Sequence, residues 1–376
     1  LSSSSAASDV YKRQNIEGLV GVMNDLLADG NSVVFVDHDV QILRRAQWLV
    51  EIGPGSGSDG GRVIAQGTVP HVEDDPDSRL AGFLTGAADV VVHEQCATDE
   101  VFALGTFHLE TSAIHTVAPL TVDLPRGRLV AVTGVSGSGK TTLILESLVP
   151  ALVASSTEPP GRMPAPVLAL DVPDHPAGKR FHAQVVDATP IGVNVRSTVA
   201  TYSGVMDDLR RAYADTDTAR AAGLTASDFS YNTGSLSCPR CEGTGEVSLD
   251  VQFLPDIDIV CPDCKGSRFA PRAREYTRDG ISLPELLGHT IRDAVDEVSG
   301  LPRVTKRLKA LDELGLGYLT LGESTPALSG GEAQRLKLVN QLHRDQSDTV
   351  FVLDEPSVGL HPLDVRTLLA VLTRLT

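Results

Sequence analysis

Apolar residues follow two different patterns along this chain. In NIEGLVGVMNDLLADG they recur every three or four positions, which predicts an amphipathic helix that Gly30 can end. The segment SVVFV (32–36) is instead a short run of β-branched and apolar residues, which predicts a strand. A second strand pattern spans about 119–133 and ends in RLVAVT, directly before a glycine-rich turn and another apolar helix pattern. Strands that alternate with helices predict an α/β fold.

Three stretches lack such a period. Residues 1–14, LSSSSAASDVYKRQ, are rich in serine, and we interpret them as foreign to the chain or as a disordered tail. Residues 69–104 are polar, and we expect a linker there, with 91–104 as the connection between two domains. Residues 155–180 contain many prolines and serines, which favours a surface connection.

The end of the chain repeats a pattern from its beginning. ALSGGEAQRLKLVNQL predicts a helix, and TVFVLDEPS predicts a buried strand that ends in acidic residues. The last segment, DVRTLLAVLTRLT, has the same helical pattern as GLVGVMNDLLADG (18–30), which precedes SVVFV. We therefore expect residues 15–90 to be the C-terminal end of one domain copy and residues 105–376 to be a second copy that stops short.

Composition limits the possible functions. A chain of 376 residues is long enough for about two or three domains. Its net charge of −17 argues against an overall electrostatic attraction to nucleic acid, so any DNA contact needs a local basic groove. No run approaches the roughly 18 apolar residues of a membrane span, which favours a cytoplasmic protein and disfavours a transporter.

The strongest local motif is GVSGSGKTT (134–142), which matches G-x-x-x-x-G-K-[ST] between a strand pattern and a helix pattern. Glycines let backbone N–H groups close around phosphates at the start of a helix. We expect Lys140 to contact the β- and γ-phosphates of ATP and Thr141 to ligate Mg²⁺. The predicted ATP- and magnesium-binding residues of this phosphate loop are Gly134, Ser136, Gly137, Ser138, Gly139, Lys140, Thr141 and Thr142. The alternative is a glycine-rich turn without a ligand.

Two acidic residues complete the predicted magnesium site. The strand pattern TVFVL is followed directly by Asp354 and Glu355. Any buried strand can end in acids, but in the same chain as a phosphate loop this pair is informative. We expect Asp354 to hold Mg²⁺ directly or through water, and Glu355 to act as the catalytic residue that orients or deprotonates the attacking water.

The segment LSGGEAQR (328–335) lies just before that strand. It places Ser329, Gly330, Gly331 and Glu332 at a predicted helix start, which is an anion-binding end unless the segment is only an ordinary N-capped helix. The order of the three motifs resembles the ATP-binding-cassette class, in which this signature segment contacts the γ-phosphate bound by another domain. The resemblance implies two facing cassettes, and we therefore expect this chain alone to hydrolyse ATP slowly.

Within that class, His38 resembles the switch histidine that contacts the γ-phosphate. It follows the predicted strand 32–36, and IGPG comes shortly after it. The resemblance makes His38 a second catalytic candidate, which would belong to the preceding domain copy. The alternative is a structural histidine at a strand end.

Four of the five cysteines fall in one short stretch, as two C-x₂-C pairs with 19 residues between them. This spacing is typical of a Cys₄ zinc site, with two disulfides or a redox pair as the alternatives. The predicted ligands are Cys238, Cys241, Cys261 and Cys264. Gly243 and Gly266 follow the pairs at the positions where a metal-binding knuckle turns. We refer to residues 225–275 as the cysteine module; Cys96 has no partner nearby in the sequence.

A cassette with a Cys₄ module between its phosphate loop and its signature segment resembles the UvrA family, the damage-sensing ATPases of the bacterial excision-repair nuclease. The resemblance covers residues 15–376 and rests on GVSGSGKTT, PIGVNVRSTVATYSGV, DFSYN, FLPD, CPDCKGSRF, LGESTPALSGGEAQRLKL and LDEPSVGLHPLD. It implies a homodimer that binds damaged double-stranded DNA and loads a helicase-like partner. It also implies DNA contacts at Arg196, Thr201 and Tyr202, with Arg196 as the best candidate for a phosphate contact.

The chain departs from the family in its charge pattern. Ala188 stands where the family usually has glutamine, and the segment before the first zinc cysteine carries no basic residue. The cysteine module also has more acids (Glu242, Glu246, Asp250, Asp256, Asp258, Asp263) than bases (Arg240, Lys265, Arg268). These departures suit an alternative, a shorter UvrA-like paralogue associated with drug resistance. A purely structural zinc module is a weaker alternative, because the chaperone repeats that CPRCEGTG resembles occur in longer arrays.

Overall fold

The computed structural model describes residues 17–54, 60–88, 96–135, 137–187, 189–192, 194–249, 257–339, 346–356 and 361–375. Their contacts divide them into two compact units. The first unit comprises the described residues up to 187 and those from 346 onward, and the second comprises those from 189 to 339.

Three separate β-sheets lie in the first unit. Strand β3 (Thr106–Thr111) is the centre of an antiparallel sheet with β4 (Leu120–Pro125) and β5 (Val167–Asp171). The parallel pair joins β6 (His182–Val186) to β11 (Thr349–Leu353). The third sheet is the antiparallel hairpin of β1 (Leu49–Gly53) and β2 (Arg62–Gly67).

The helices of the first unit are α1 (17–28), α2 (Val40–Leu43), α3 (Val69–Glu73), α4 (Ala81–Thr85), α5 (Lys140–Leu143), α6 (Val149–Ser156) and α14 (Pro362–Leu375). A π-helical turn (Ile144–Leu148) joins α5 to α6, and a 3₁₀ turn covers Thr98–Glu100. Helix α6 packs on the β3 sheet through a core that contains Phe107, Leu109, Leu152, Val167 and Phe181. A second core contains Leu43, Leu49, Ala65, Val72, Leu80 and Leu84.

The second unit is mainly helical. Its helices are α7 (Val199–Tyr202), α8 (Val205–Ala214), α9 (Asp217–Ala221), α10 (Leu283–Gly288), α11 (Ile291–Glu297), α12 (Pro302–Leu311) and α13 (Gly330–Val339). Further turns are 3₁₀ at Pro271–Glu275 and Thr325–Ala327 and π-helical at Asp312–Leu316. Two hairpins complete the unit, β7 (Glu246–Leu249) with β8 (Ile257–Val260) and β9 (Thr277–Arg278) with β10 (Ile281–Ser282). Its largest fully buried side chains include Phe229, Tyr231, Phe269, Leu209, Leu283, Ile291 and Leu308.

Of the two predicted strand patterns, 32–36 is not a strand, whereas 119–133 contains β4 (Leu120–Pro125) in its first half and no strand in its second half. Residues 31–39 and 129–135 form no ladder, and Val34 and Val36 are 93% and 92% exposed. A strand requires hydrogen bonds to a neighbouring strand, and an apolar run does not specify where that neighbour lies. The helix predicted before SVVFV is confirmed as α1.

Two stretches without a clear period contain more structure than their composition suggests. The predicted linker 69–104 includes α3 and α4, whose Val72 and Leu84 are fully buried. The predicted connection 155–180 includes β5, which pairs with β3. Helices of five residues are too short to show a helical period, so this pattern could not reveal them. No helix in the described part of the chain is long and apolar enough to span a membrane.

Candidate functional site

The phosphate loop has the tight backbone that its glycines allow. Gly137 and Gly139 adopt φ angles of +77° and +93°, which residues with a side chain rarely adopt. Gly139 directly precedes the first residue of α5. A Cβ on Gly139 would lie 2.2 Å from Cγ2 of Val117. The Nζ of Lys140 donates to the carbonyl oxygens of Gly134 and Val135, at 2.8 and 2.9 Å. These hydrogen bonds hold the side chain of Lys140 against the phosphate loop.

The other predicted residues of the loop follow the turn into the helix. Thr141 is exposed in the first turn of α5, and the carbonyl of Thr142 accepts a hydrogen bond from the hydroxyl of Ser147 at 3.0 Å. Ser138 is exposed, whereas the predicted ligand Ser136 lies outside the described residues. The exposed hydroxyl of Thr141 suits a magnesium ligand, which needs an accessible oxygen.

The acid pair lies at the carboxyl end of the parallel sheet, in the same unit as the phosphate loop. Strand β11 runs parallel to β6 with Leu353 opposite Val186, and the N–H of Asp354 donates to the carbonyl of Val186 at 3.3 Å. Glu355 adopts φ +45°, a left-handed conformation that is uncommon for a residue with a side chain. Backbone strain of this kind is concentrated at functional sites, which is consistent with the catalytic role predicted for Glu355.

The signature segment lies in the second unit, at the start of α13. The N–H of Ser329 donates to Oε2 of Glu332 at 2.6 Å, and the N–H of Glu332 donates to Oγ of Ser329 at 3.3 Å. This reciprocal pair is a capping box, which stabilises the helix start. The hydroxyl of Tyr318 also donates to Glu332. Ser329 and Glu332 stabilise the helix start, and this role alone is what the alternative of an ordinary N-capped helix predicts.

His38 contacts a second histidine that the sequence patterns did not single out. Its ring lies edge-on to that of His361, with centroids 6.3 Å apart, and His361 lies edge-on to Phe83 at 6.4 Å. Burial lowers the pKa of His361, and the nearby His38 lowers it further. The N–H of Leu363 donates to Nδ1 of His361 at 3.2 Å, so this nitrogen acts as an acceptor at the start of α14. The segment LDEPSVGLHPLD contains His361, but its spacing gives no sign of this contact.

The four predicted zinc ligands come together in the cysteine module. All four side chains are buried, and their sulfurs lie within 4.8 Å of one another. Sγ of Cys238 is 3.9 Å from that of Cys261, and Sγ of Cys241 is 3.6 Å from that of Cys264. Four thiolates at about 2.3 Å from a tetrahedral Zn²⁺ would be about 3.8 Å apart, so this donor set fits zinc. A disulfide would need about 2.05 Å, and all five cysteines are free thiols.

The module's local geometry supports the same interpretation. Gly243 and Gly266 adopt φ +81° and +84°, and a Cβ on Gly243 would lie 1.8 Å from the carbonyl oxygen of Tyr231. The N–H of Gly245 points to Sγ of Cys241 at 3.4 Å, as expected for a metal-binding knuckle. Burial raises the pKa of Cys264 to about 12, so a bound cation is what would favour its thiolate.

The three predicted DNA-contact residues are all partly buried and differ in what their polar groups contact. Arg196 is partly exposed and forms an ion pair with Glu242, with its guanidinium nitrogen 3.7 Å from the carboxylate. The Oγ1 of Thr201 accepts from the N–H of Thr198 and donates to its carbonyl, so this hydroxyl caps α7. Tyr202 is half-buried, and burial raises the pKa of its phenol. Arg196 is therefore the one candidate of the three that offers a positive charge to a phosphate.

Two residues that the sequence patterns gave no role connect this stretch to the cysteine module. The hydroxyl of Tyr231 donates to the carbonyl of Arg196 at 3.0 Å. The guanidinium of Arg268 is buried, donates to the carbonyls of Val195 and Gly243, and lies 5.4 Å from the ring centre of Tyr231. Both residues occur in quoted motifs, DFSYN and CPDCKGSRF, but a burial pattern cannot be read from five to nine letters.

Comparisons with known proteins point to one family. No protein-family model matches the chain. It is 37% identical over 367 residues to UvrABC system protein A of Thermus thermophilus, covering 97% of this chain and 38% of that protein. The corresponding protein of Bacillus subtilis is 35% identical over 368 residues, covering 97% of this chain and 37% of that protein.

A comparison of folds identifies the same family. The solved structure of UvrA2 from Deinococcus radiodurans matches with a TM-score of 0.85 and 35% identity, covering 96% of this chain and 42% of that one. The predicted fold class, an α/β ATP-binding-cassette domain with a Cys₄ module, is confirmed. The chain spans about two fifths of the length of the relatives that it matches. Over nearly its whole length, in sequence and in fold, it belongs to the UvrA family.

Proposed function

We propose that this chain is part of an ATP-hydrolysing, DNA-binding protein of nucleotide excision repair. The protein would recognise damaged double-stranded DNA as a homodimer in the cytoplasm and load a helicase-like partner. The observation that carries the proposal is the combination, in one chain of the UvrA family, of a phosphate loop, an acid pair behind a parallel strand and a buried Cys₄ cluster.

The nucleotide chemistry follows from the residues at the strand and helix ends. The backbone of the phosphate loop and Lys140 would bind the phosphates of ATP, and Thr141 and Asp354 would hold Mg²⁺. Glu355 would orient the water that attacks the γ-phosphate of this nucleotide. His38 would act in the site of the preceding cassette, where it would stabilise the charge that develops on the γ-phosphate of the nucleotide bound there. Mg²⁺ would supply charge neutralisation on the phosphate oxygens.

We also propose that residues 15–90 end a first cassette and that residues 105–376 belong to a second one, with 91–104 as the connection. In the ATP-binding-cassette class each nucleotide is held by the phosphate loop of one domain and the signature segment of another. Lys140 and Ser329 would then serve different nucleotides, and an active site would need a facing cassette. This arrangement predicts slow turnover for a single copy of the chain.

DNA binding by the complete protein, with and without a lesion and in the presence of ATP, tests the proposal. We expect tighter binding to the damaged duplex than to the undamaged one, and loss of the ATP response in Lys140→Ala. Glu100→Gln is a suitable control because it removes an exposed acid of the same unit outside the motifs. Equal affinity for both duplexes would contradict a role in damage recognition.

A second candidate is a UvrA-like ATPase that acts in drug resistance. The observation that favours it is the pairing of exposed arginines with acids in the second unit, Arg196 with Glu242 and Arg240 with Asp263. Such pairs reduce the positive charge available to a phosphate backbone. A strain that lacks the protein should then become drug-sensitive while its resistance to ultraviolet light stays unchanged, whereas the repair function predicts sensitivity to ultraviolet light.

A further inference from the structure

A polar groove lies beside the first cysteine knuckle, within the second unit. Its volume is about 390 Å³, and its lining includes Arg196, Asn232, Thr233, Ser237 and Glu242. Arg196 carries the one positive charge among the described residues that line it, and Glu242 is the one acidic residue. The two form the ion pair described above, in which the side chain of Arg196 is 34% exposed and that of Glu242 is 80% exposed.

The arginine is held in place at its backbone. Its carbonyl accepts from the hydroxyl of Tyr231 at 3.0 Å, and its N–H donates to Oδ1 of Asn194 at 2.9 Å. Tyr231 is itself fully buried and packs edge-on against Phe269, with ring centroids 5.8 Å apart. The guanidinium is therefore presented from an ordered backbone, which reduces the entropy lost when it binds a ligand.

Glu242 reaches this arginine because of its place in the knuckle. It stands between the buried Cys241 and Gly243 and adopts φ +50°, the left-handed conformation. A guanidinium binds a carboxylate and a phosphate through the same N–H groups. At 3.7 Å the carboxylate of Glu242 forms an ion pair with the guanidinium without a hydrogen bond, so it competes with a phosphodiester for the positive charge and repels the phosphate.

We propose that this groove binds a phosphodiester group of DNA through Arg196 and that Glu242 competes for the same guanidinium, which sets the DNA affinity of the second unit. The inference rests on the proposed DNA-binding function and adds to it a binding groove and a residue that weakens binding. The pair is exposed to solvent, so the competition is modest and reversible. Glu242 is thus a tuning residue and not a block.

Affinity of the complete protein for a fluorescently labelled undamaged duplex, measured by anisotropy over a range of salt concentrations, tests this proposal. Glu242→Gln keeps the size of the side chain and removes its charge, and we expect binding about two- to fivefold tighter at low salt. The slope of log affinity against log salt should become steeper by up to about 0.9, the contribution of one phosphate contact. Zinc content should not change.

Two controls separate competition from general charge. Glu246→Gln removes one exposed charge from the same module, at a residue with no ion pair among the described residues, and should tighten binding less. In Arg196→Ala, which should weaken binding, the added Glu242→Gln change should give no more than the Glu246→Gln gain.

The outcomes are distinct. An equal gain from Glu242→Gln and Glu246→Gln, or a full gain without Arg196, would overturn the competition. DNA binding that does not change in Arg196→Ala would overturn the groove while leaving the proposed function intact. If neither the parent nor Glu242→Gln bound DNA, the proposed function would fail and the inference with it.

Discussion

The cysteine module and the nucleotide site differ in how far apart along the chain their parts lie. The four sulfurs come from a segment that begins at Cys238 and ends at Cys264, and they converge within 4.8 Å inside one unit. The nucleotide residues run from Gly134 to Glu355, and the signature segment lies in the other unit. The predicted zinc ligands therefore come from one short segment, whereas the predicted nucleotide residues come from segments far apart along the chain.

This difference has a physical origin in chain entropy. Short connections between the four cysteines cost little entropy to close. A left-handed glycine allows the turn of each knuckle, Gly243 in the first and Gly266 in the second. The sheet of β6 and β11 must instead bring together two strands that are separated along the chain by the whole second unit. The module should consequently be formed or lost as one piece, while the nucleotide site should respond in stages to single changes.

Cys238→Ser is expected to have the largest effect. The parent should contain about one Zn²⁺ per chain, and a site left with three thiolates should bind zinc more weakly, with the loss of part of a binding free energy that is on the order of 10–16 kcal/mol for structural zinc in peptides. Metal analysis after desalting measures the loss, and limited proteolysis between 225 and 275 measures the loosening of the module. Cys96→Ser, at an exposed thiol, should keep its zinc. A parent without metal whose cysteines are paired as disulfides would contradict the zinc site.

The same contrast explains what could be predicted from the sequence. The convergence of the four cysteines and the turn at Gly243 could be predicted because spacing alone encodes a local cluster, and the role of these cysteines as zinc ligands stays a prediction. The strand predicted at 32–36 is wrong, and the pattern at about 119–133 is confirmed only over β4, because a strand depends on a neighbour that no local pattern specifies. The contact between His38 and His361 was missed for the same reason, since it joins residues far apart along the chain.

Exchanging residues of the predicted ATP site should give the next largest effect. Lys140→Ala should abolish nucleotide binding, whereas Glu355→Gln should retain it and reduce turnover by about 10²- to 10⁴-fold, because only the water-activating carboxylate is lost. Nucleotide binding by fluorescence titration and steady-state phosphate release in the complete protein separate the two. Glu100→Gln should match the parent in both assays. Turnover at the parental rate in Glu355→Gln would show that another group activates the water.

A composite nucleotide site, as proposed above, would make activity depend on protein concentration. If phosphate loop and signature segment of one cassette serve different nucleotides, a single copy of this chain lacks donors worth on the order of 10²- to 10³-fold in rate. Specific ATPase activity should then rise with concentration as copies pair. Mixing Lys140→Ala chains with Ser329→Ala chains should restore part of the activity that each lacks. Turnover that is independent of concentration, with no gain on mixing, would mean that the chain is self-sufficient.

The smallest effect concerns pH and the long-range contact at His361. Burial and His38 lower the pKa of His361, while Asp364 and Glu51 act in the opposite direction without cancelling the shift. The unfolded chain therefore takes up a proton more readily than the folded one, and stability falls as the pH drops below about 6.5, the ordinary histidine value, toward the lowered folded value. Protonation of Nδ1 would also remove the acceptor for the N–H of Leu363.

His361→Asn keeps a side-chain acceptor at this helix start but cannot be protonated. Between pH 8 and pH 5.5 its melting temperature should therefore fall less than that of the parent, by a margin on the order of 1–3 °C. His71→Asn, at an exposed histidine of the same unit, should follow the parent. Because burial is the main cause of the lowered pKa of His361, a smaller acid effect in His361→Asn alone would show that this histidine is partly buried in solution. An identical fall in all three proteins would mean that protonation of His361 does not destabilise the folded chain in this pH range, which would contradict its partial burial at the start of α14.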